Sequence, residues 1–239
     1  MENKIVLITG GSSDIAKPLI HDILKNTTHK IIITKYKNKE TYNNSRIIEI
    51  NANLSIVDGI NHFLQIIEQY NISYYIQLQG TALVNDSIET QIYEDLIFTL
   101  NVNTLSTSMI IAKILPSMKK LSYGRITLIG TASANYGGGE NSFSYGLAKH
   151  SIGYLVKHLA KFYSEFGIIT NSISPGFIKT KFHTDTLKRD NGFLINRGKS
   201  VKVGYCGLPN DVSNLIFNIT FKNNFICGES IKIDGADFI

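Results

Sequence analysis

With 239 residues, 43% hydrophobic and 18% charged, the chain has a globular composition, outside the disordered, collagen-like and low-complexity classes. That length favours one domain, and a formal charge of +5 is too small to single out nucleic acid as a partner. Two cysteines, Cys206 and Cys227, lack metal-ligand spacing and fit free thiols in a reduced compartment. The apolar run Ile5–Ile8 is too short for a signal core, and no later stretch reaches the roughly 18 uninterrupted apolar residues of a membrane span. The expectation is a cytoplasmic protein with a small-molecule partner, without membrane or nucleic acid.

In chain order, short apolar runs alternate with longer segments of helical period. Strands are predicted at Lys4–Thr9, Lys30–Thr34, Arg46–Ile50, Tyr74–Gln79, Arg125–Gly130, Ile168–Ser174 and Ser230–Ile233. Helices are clearest at Ile92–Lys120 and Ser144–Phe166; in the second, Leu147, Ile152, Leu155, Leu159 and Phe162 recur at steps of three to five. No repeat or compositional break divides the chain. The pattern predicts a single doubly wound α/β (Rossmann) domain, a seven-stranded parallel sheet with helices on both faces.

The first strand runs into Thr9-Gly10-Gly11-Ser12-Ser13-Asp14-Ile15-Ala16 and then a helix. A dinucleotide pyrophosphate needs backbone N–H groups at a helix start, and glycine lets it approach without a Cβ in the way. Gly10 and Gly11 suit the tight turn, and Ala16 suits close helix–strand contact. The second strand ends in Thr34-Lys35-Tyr36-Lys37. No carboxylate stands there to bond the ribose of NAD, whereas Lys35 and Lys37 can pair with a 2′-phosphate, so NADP is expected over NAD.

The strongest chemical signal is Tyr145-Gly146-Leu147-Ala148-Lys149. At an i, i+4 spacing the two side chains share a helix face. A phenol with an ordinary pKa of about 10 exchanges protons poorly near neutrality. A nearby ammonium is expected to lower that value and make Tyr145 a usable general acid or base. Ahead of the pair lie Thr131 and Ser133, which bear hydroxyls, and the stretch Gly137–Gly139. His150 and His158 stand on the same helix, but no cluster has metal spacing, and no metal is expected.

Together these elements resemble the short-chain dehydrogenase/reductase family, near its 3-oxoacyl-carrier-protein reductase-like branch, over nearly the whole chain. The Thr9–Ala16 turn is similar to the family's Thr-Gly-x-x-x-Gly-x-Gly, with Asp14 and Ala16 in place of later glycines. Asn51-Ala52 stands where the family holds the adenine. Ser174-Pro175-Gly176-Phe177-Ile178-Lys179-Thr180 matches the segment that meets the nicotinamide and phosphates, and Phe225–Glu229 through Asp234-Gly235 matches the closing loop and last strand. The resemblance implies cofactor contacts from Gly10, Gly11, Ser12, Ser13, Asp14, Ile15, Lys35, Asn51, Ala52, Gly80, Tyr145, Lys149, Pro175, Gly176, Ile178 and Thr180. It implies proton exchange with substrate by Tyr145, ribose binding and pKa control by Lys149, and a water relay at Asn103, with Asn101 as alternative. Thr131 ranks first for the hydroxyl that orients the carbonyl, with Ser133 kept. The family's strand-four Asn-Asn-Ala-Gly is here Gln77-Leu78-Gln79-Gly80.

In this family the segment after Pro-Gly closes the substrate pocket, here about Lys179–Tyr205. Seven lysines and arginines against Asp185 and Asp190 give it an excess of five, equal to the charge of the whole chain. Such a lid favours an anionic substrate: sugar-, phosphate- or carrier-linked. The implied activity is NADPH-dependent interconversion of a ketone and a secondary alcohol; a weakly catalytic NADP-binding sensor is the alternative. Phe166, where acyl-carrier reductases offer a basic docking residue, weighs against the acyl-carrier reading. The two long helices imply a homo-oligomer, dimer or tetramer.

Overall fold

A computed structural model describes residues 4–37 and 41–238. Short runs rich in isoleucine form β1 (Ile5–Thr9), β2 (Lys30–Lys35), β3 (Ile47–Asn51), β4 (Ile72–Gln77), β5 (Gly124–Ile129), β6 (Ile168–Pro175) and β7 (Ser230–Ile233). All pairings are parallel, in the order β3-β2-β1-β4-β5-β6-β7. The order reverses between β1 and β4, and a sheet so wound opens a crevice at the carboxyl ends of those strands.

The helices are α1 (Ala16–Asn26), α2 (Val57–Ile67), α3 (Tyr93–Leu100), α4 (Ser106–Lys120), α5 (Phe143–Tyr163), α6 (Asn191–Ser200) and α7 (Pro209–Phe217). Strand side chains alternate between two cores. Leu7, Ile32, Tyr75 and Ile126 pack with Phe63 of α2, Ile114 of α4 and Val156 of α5. Val6, Ile8, Ile31 and Ile33 pack with Leu19 and Ile23 of α1 and Ile216 of α7. Burial on both faces explains why the strands read as continuous apolar runs.

Most strand ends shift by a single residue from the sequence reading, and two segments differ by more. β4 starts at Ile72 and stops at Gln77, where the side chain leaves the ladder pattern: Gln77 Oε1 accepts from Ile129 N (3.0 Å) and its Nε2 donates to Gln79 O (2.6 Å). The segment expected as one helix over 92–120 carries a π-helical turn, Asn101–Leu105, between α3 and α4. An extra residue in one turn barely disturbs apolar periodicity, so the pattern does not reveal it.

Candidate active site

The phenol stands on the first turn of α5, and a buried carboxylate anchors that turn. Asp86, only 3% exposed, accepts at Oδ2 from Ser144 N (2.9 Å), Ser144 Oγ (2.7 Å) and Tyr145 N (3.5 Å). Gln91 Nε2 donates to its other oxygen. An anion there satisfies amides that the helix leaves unpaired and opposes the positive end of its dipole. Sequence reasoning missed Asp86: its partner lies 58 positions away and nothing local marks the pairing.

Around the phenol the structure assembles Thr131, Lys149 and Phe182. Thr131 acts on the Tyr145 phenol and draws its pKa down. Ser133 Oγ lies 3.2 Å from Thr131 Oγ1 and so adjoins the hydroxyl rather than replacing it. The Phe182 ring centre is 5.7 Å from that of Tyr145. Lys149, 4% exposed, donates to Ile129 O at 2.9 Å, and its Nζ is 5.9 Å from the Tyr145 ring centre. Burial pushes the Tyr145 phenol up to about 12, against the opposite pull of Thr131, and pushes the Lys149 amine down to about 7. The net direction at the phenol is therefore set by desolvation, while the amine is turned to a backbone carbonyl.

Asn103 sits in the π-helical turn, fully buried. Its amide donates to Thr99 O and Thr81 O, both at 2.8 Å, and its Oδ1 accepts from Thr81 N at 3.2 Å. Asn101 turns instead to Ser55 O at 2.9 Å. Gly80 joins this group: a Cβ there would stand 3.2 Å from Asn103 Oδ1 and 3.6 Å from Lys149 Nζ.

At the glycine turn, the Gly10 amide donates to Thr34 Oγ1 (3.0 Å) and the Gly11 amide to Thr34 O (2.8 Å). Gly10 has φ +75°, and a Cβ on it would lie 2.5 Å from Gln79 N. Both glycines thus serve close strand packing. Ser13 Oγ accepts from Ala16 N (3.2 Å) and caps α1. Asp14 does not cap; its carboxylate accepts from Lys181 N at 2.6 Å and ties the turn to the start of the lid.

Past β2 and β3, a pocket of about 270 Å³ is lined by Ser12, Lys17, Ile33, Lys35, Thr41 and Tyr42. Lys35 Nζ lies 2.5 Å from Glu49 Oε2, and Lys37 Nζ 5.1 Å from the Tyr36 ring centre. Ala52, buried, donates from its amide to Lys35 O at 3.0 Å, while Asn51 is exposed. On the opposite side of the crevice Pro175 pairs with Ile233, Gly176 N donates to Ile233 O, Ile178 is buried and Thr180 Oγ1 reaches Ile178 O at 3.5 Å. A cation-lined pocket beside the glycine turn, and a glycine opposite a buried amine, fit the two ends of a dinucleotide.

Residues 179–205 contain a π-helical turn, Phe182–Thr186, and α6, and Leu194 and Val201 form a small core with Phe177. Their charge is less available than the sequence suggests. Arg197 forms a forked pair with Asp237 of the carboxyl tail, and the Arg189 guanidinium lies 4.2 Å from the Phe193 ring centre. Among the described residues no group of three or more His, Cys, Asp or Glu is arranged to hold a metal.

Sheet order, crevice and the phenol–amine pair define a class: an NAD(P)-dependent oxidoreductase built as one α/β domain. The chain belongs to the short-chain dehydrogenase/reductase family, and a family model described as Enoyl-(Acyl carrier protein) reductase matches residues 55–235. It is 26% identical to a 3-oxoacyl-[acyl-carrier-protein] reductase, FabG, of Buchnera aphidicola, covering 100% of this chain and 99% of the relative. A solved structure described as ElxO with NADP bound is 26% identical, with a TM-score of 0.84 and 99% of each chain covered. A 4-hydroxyisoleucine dehydrogenase complexed with NADH shares the fold at TM-score 0.87 and 21% identity, over 98% of each chain.

Proposed function

We propose that this protein is an NADPH-dependent reductase that turns a ketone on an anionic, sugar-, phosphate- or carrier-linked substrate into a secondary alcohol. The observation that carries the reading is the Tyr145 phenol on the first turn of α5, beside Thr131 and one helical turn from the buried Lys149 amine. A protonated phenol suits giving a proton to a carbonyl oxygen that gains charge, which is the reductive direction. Bound in the crevice, the nicotinamide supplies hydride. Thr131 orients the substrate oxygen with Ser133 beside it, and Tyr145 holds the proton and releases it to that oxygen. Lys149 binds the nicotinamide ribose, and Asn103 fixes the Gly80–Thr81 backbone at the amine and serves the proton relay. Ser12, Ser13, Asp14 and Ile15 meet the phosphates, and Lys35 the 2′-phosphate; Asn51 and Ala52 flank the adenine. Pro175, Gly176, Ile178 and Thr180 line the nicotinamide side.

Residues 179–205 act as the lid. With Arg197 engaged by Asp237 and Arg189 over the Phe193 ring, attraction of an anion falls mainly to the exposed Lys179, Lys181, Lys188, Lys199 and Lys202. Leu147, Tyr154 and Phe162 on α5, and Leu105 and Met109 at the start of α4, leave large apolar groups exposed. This supports a homo-oligomer, dimer or tetramer. The test is NADPH consumption against a panel of neutral and anionic ketones. Turnover should fall by about 10²–10⁴ in Tyr145→Phe while NADPH binding stays. Cofactor binding without turnover on any ketone, unaltered by that substitution, would favour the sensor.

A further inference from the structure

We propose that Glu49 sets the cofactor preference by acting as an internal counter-ion for Lys35, which the 2′-phosphate of NADPH must displace. The inference rests on the reading of the crevice as a dinucleotide site and adds a residue that the strand-end rule overlooks. Glu49 lies in β3, paired in register with Ile33 of β2; Lys35 is its diagonal neighbour two residues on. The Lys35 Nζ–Glu49 Oε2 distance is 2.5 Å, and both side chains are 17% exposed. Solvent screens such a pair less than one on an open surface.

The second oxygen of Glu49 accepts from Tyr42 N at 2.5 Å, and Tyr42 Oη donates to Gly11 O at 2.9 Å. The carboxylate thus joins two walls of the 270 Å³ pocket, Lys35 and Tyr42, and reaches the glycine turn through the latter. Burial alone would raise the Glu49 pKa, but the bonds from Lys35 and the Tyr42 amide outweigh it and hold the carboxyl below its ordinary range. Its two bonds thus favour the carboxylate form. With both oxygens already accepting, Glu49 is placed to hold the pocket rather than to bond a ribose. A 2′-phosphate entering here meets a lysine whose charge is partly cancelled and a carboxylate that repels it. The product is a muted preference for NADPH, set by a residue one strand away from the usual discriminating position.

Dissociation constants for NADPH and NADH, from nicotinamide fluorescence on the full chain, test this; the chain has no tryptophan to interfere. Glu49→Gln keeps the shape and an acceptor for Tyr42 while removing the charge. It should tighten NADPH about five- to tenfold, the size of one modest ion-pair term, and raise the NADH/NADPH ratio of constants by that factor. Glu49→Ala should shift the ratio in the same direction. In a Lys35→Met background the Glu49→Gln gain should shrink to less than about twofold, because the effect passes through the lysine. An unchanged or weaker NADPH constant in both Glu49 variants overturns the inference, as does the full gain persisting without Lys35. If the unaltered chain binds neither dinucleotide, the reading of the crevice itself falls; if it binds both and the ratio does not move, only the role of Glu49 falls.

Discussion

Replacing Lys149 by methionine should stabilise the protein while abolishing its chemistry. The amine is 4% exposed, with one bond to a described partner, Ile129 O, and burial brings its pKa from 10.5 to about 7. At about 1.4 kcal/mol per pKa unit, keeping this group folded near pH 7 costs up to about 5 kcal/mol. Methionine removes that cost but leaves Ile129 O without its donor, a loss of about 1 kcal/mol. After allowing for relaxation around a buried charge, a net gain of about 2–3 kcal/mol remains, or about 5–10 °C in Tm for a chain of this length. The sign also fixes a pH dependence. Between pH 7 and 10.5 the unfolded chain binds the lysine proton more than the folded one, so this residue makes stability rise with pH. The advantage of Lys149→Met should therefore be largest near pH 7 and vanish by about pH 10. Thermal melts of both proteins at pH 7, 8 and 9, followed by circular dichroism, measure the difference directly. A variant that melts at or below the unaltered protein at pH 7, or a gap independent of pH, refutes the reasoning.

Three further outcomes follow from named contacts. Asp86→Ala leaves the Ser144 amide, the Ser144 hydroxyl and Gln91 without their buried acceptor. It should cost about 3 kcal/mol in denaturant unfolding and lower kcat more than it raises KM, because the first turn of α5 carries the phenol. Asp14→Gly removes the side-chain bond from the glycine turn to the Lys181 amide, so hydrogen exchange at that amide should quicken at least about tenfold while the melting temperature stays within about 2 °C. His29, 5% exposed, is held below its ordinary pKa by burial and by Lys4 and Arg46. Its folded state favours the neutral ring, so stability is intact above about pH 6.5 and is lost as pH falls; His29→Phe should flatten that acid limb in melts from pH 7.5 to 5.

The sheet was legible because the isoleucine-rich strands are buried on both faces, which writes them as short apolar runs regardless of partner. Tyr145 and Lys149 were legible because four residues of helix bring two side chains to one face whatever packs on them. The Gln77–Gly80 departure from the family's strand-four motif acquires a meaning in the structure. Gln77 spans from β4 to the Ile129 amide at the end of β5, and Gln79 donates to Thr107 at 3.0 Å and accepts from Thr9. The longer amides thus close a buried polar joint across three elements, which no local pattern could announce.

What the sequence hid is mostly pairing of charges and caps over distance. Asp86 meets Ser144, Asp14 meets Lys181 and Arg197 meets Asp237, at separations of 58, 167 and 40 residues. A charge count along the lid treats each cation as available, although the fold assigns Arg197 a carboxylate drawn from the other end of the chain. The same error led the strand-end rule to weigh Lys35 without Glu49, since a residue 14 positions later becomes its neighbour only once β3 lies beside β2. Electrostatic preference at such a site belongs to the pair, so the carboxylate on the adjacent strand has to enter any estimate of which dinucleotide the lysine favours.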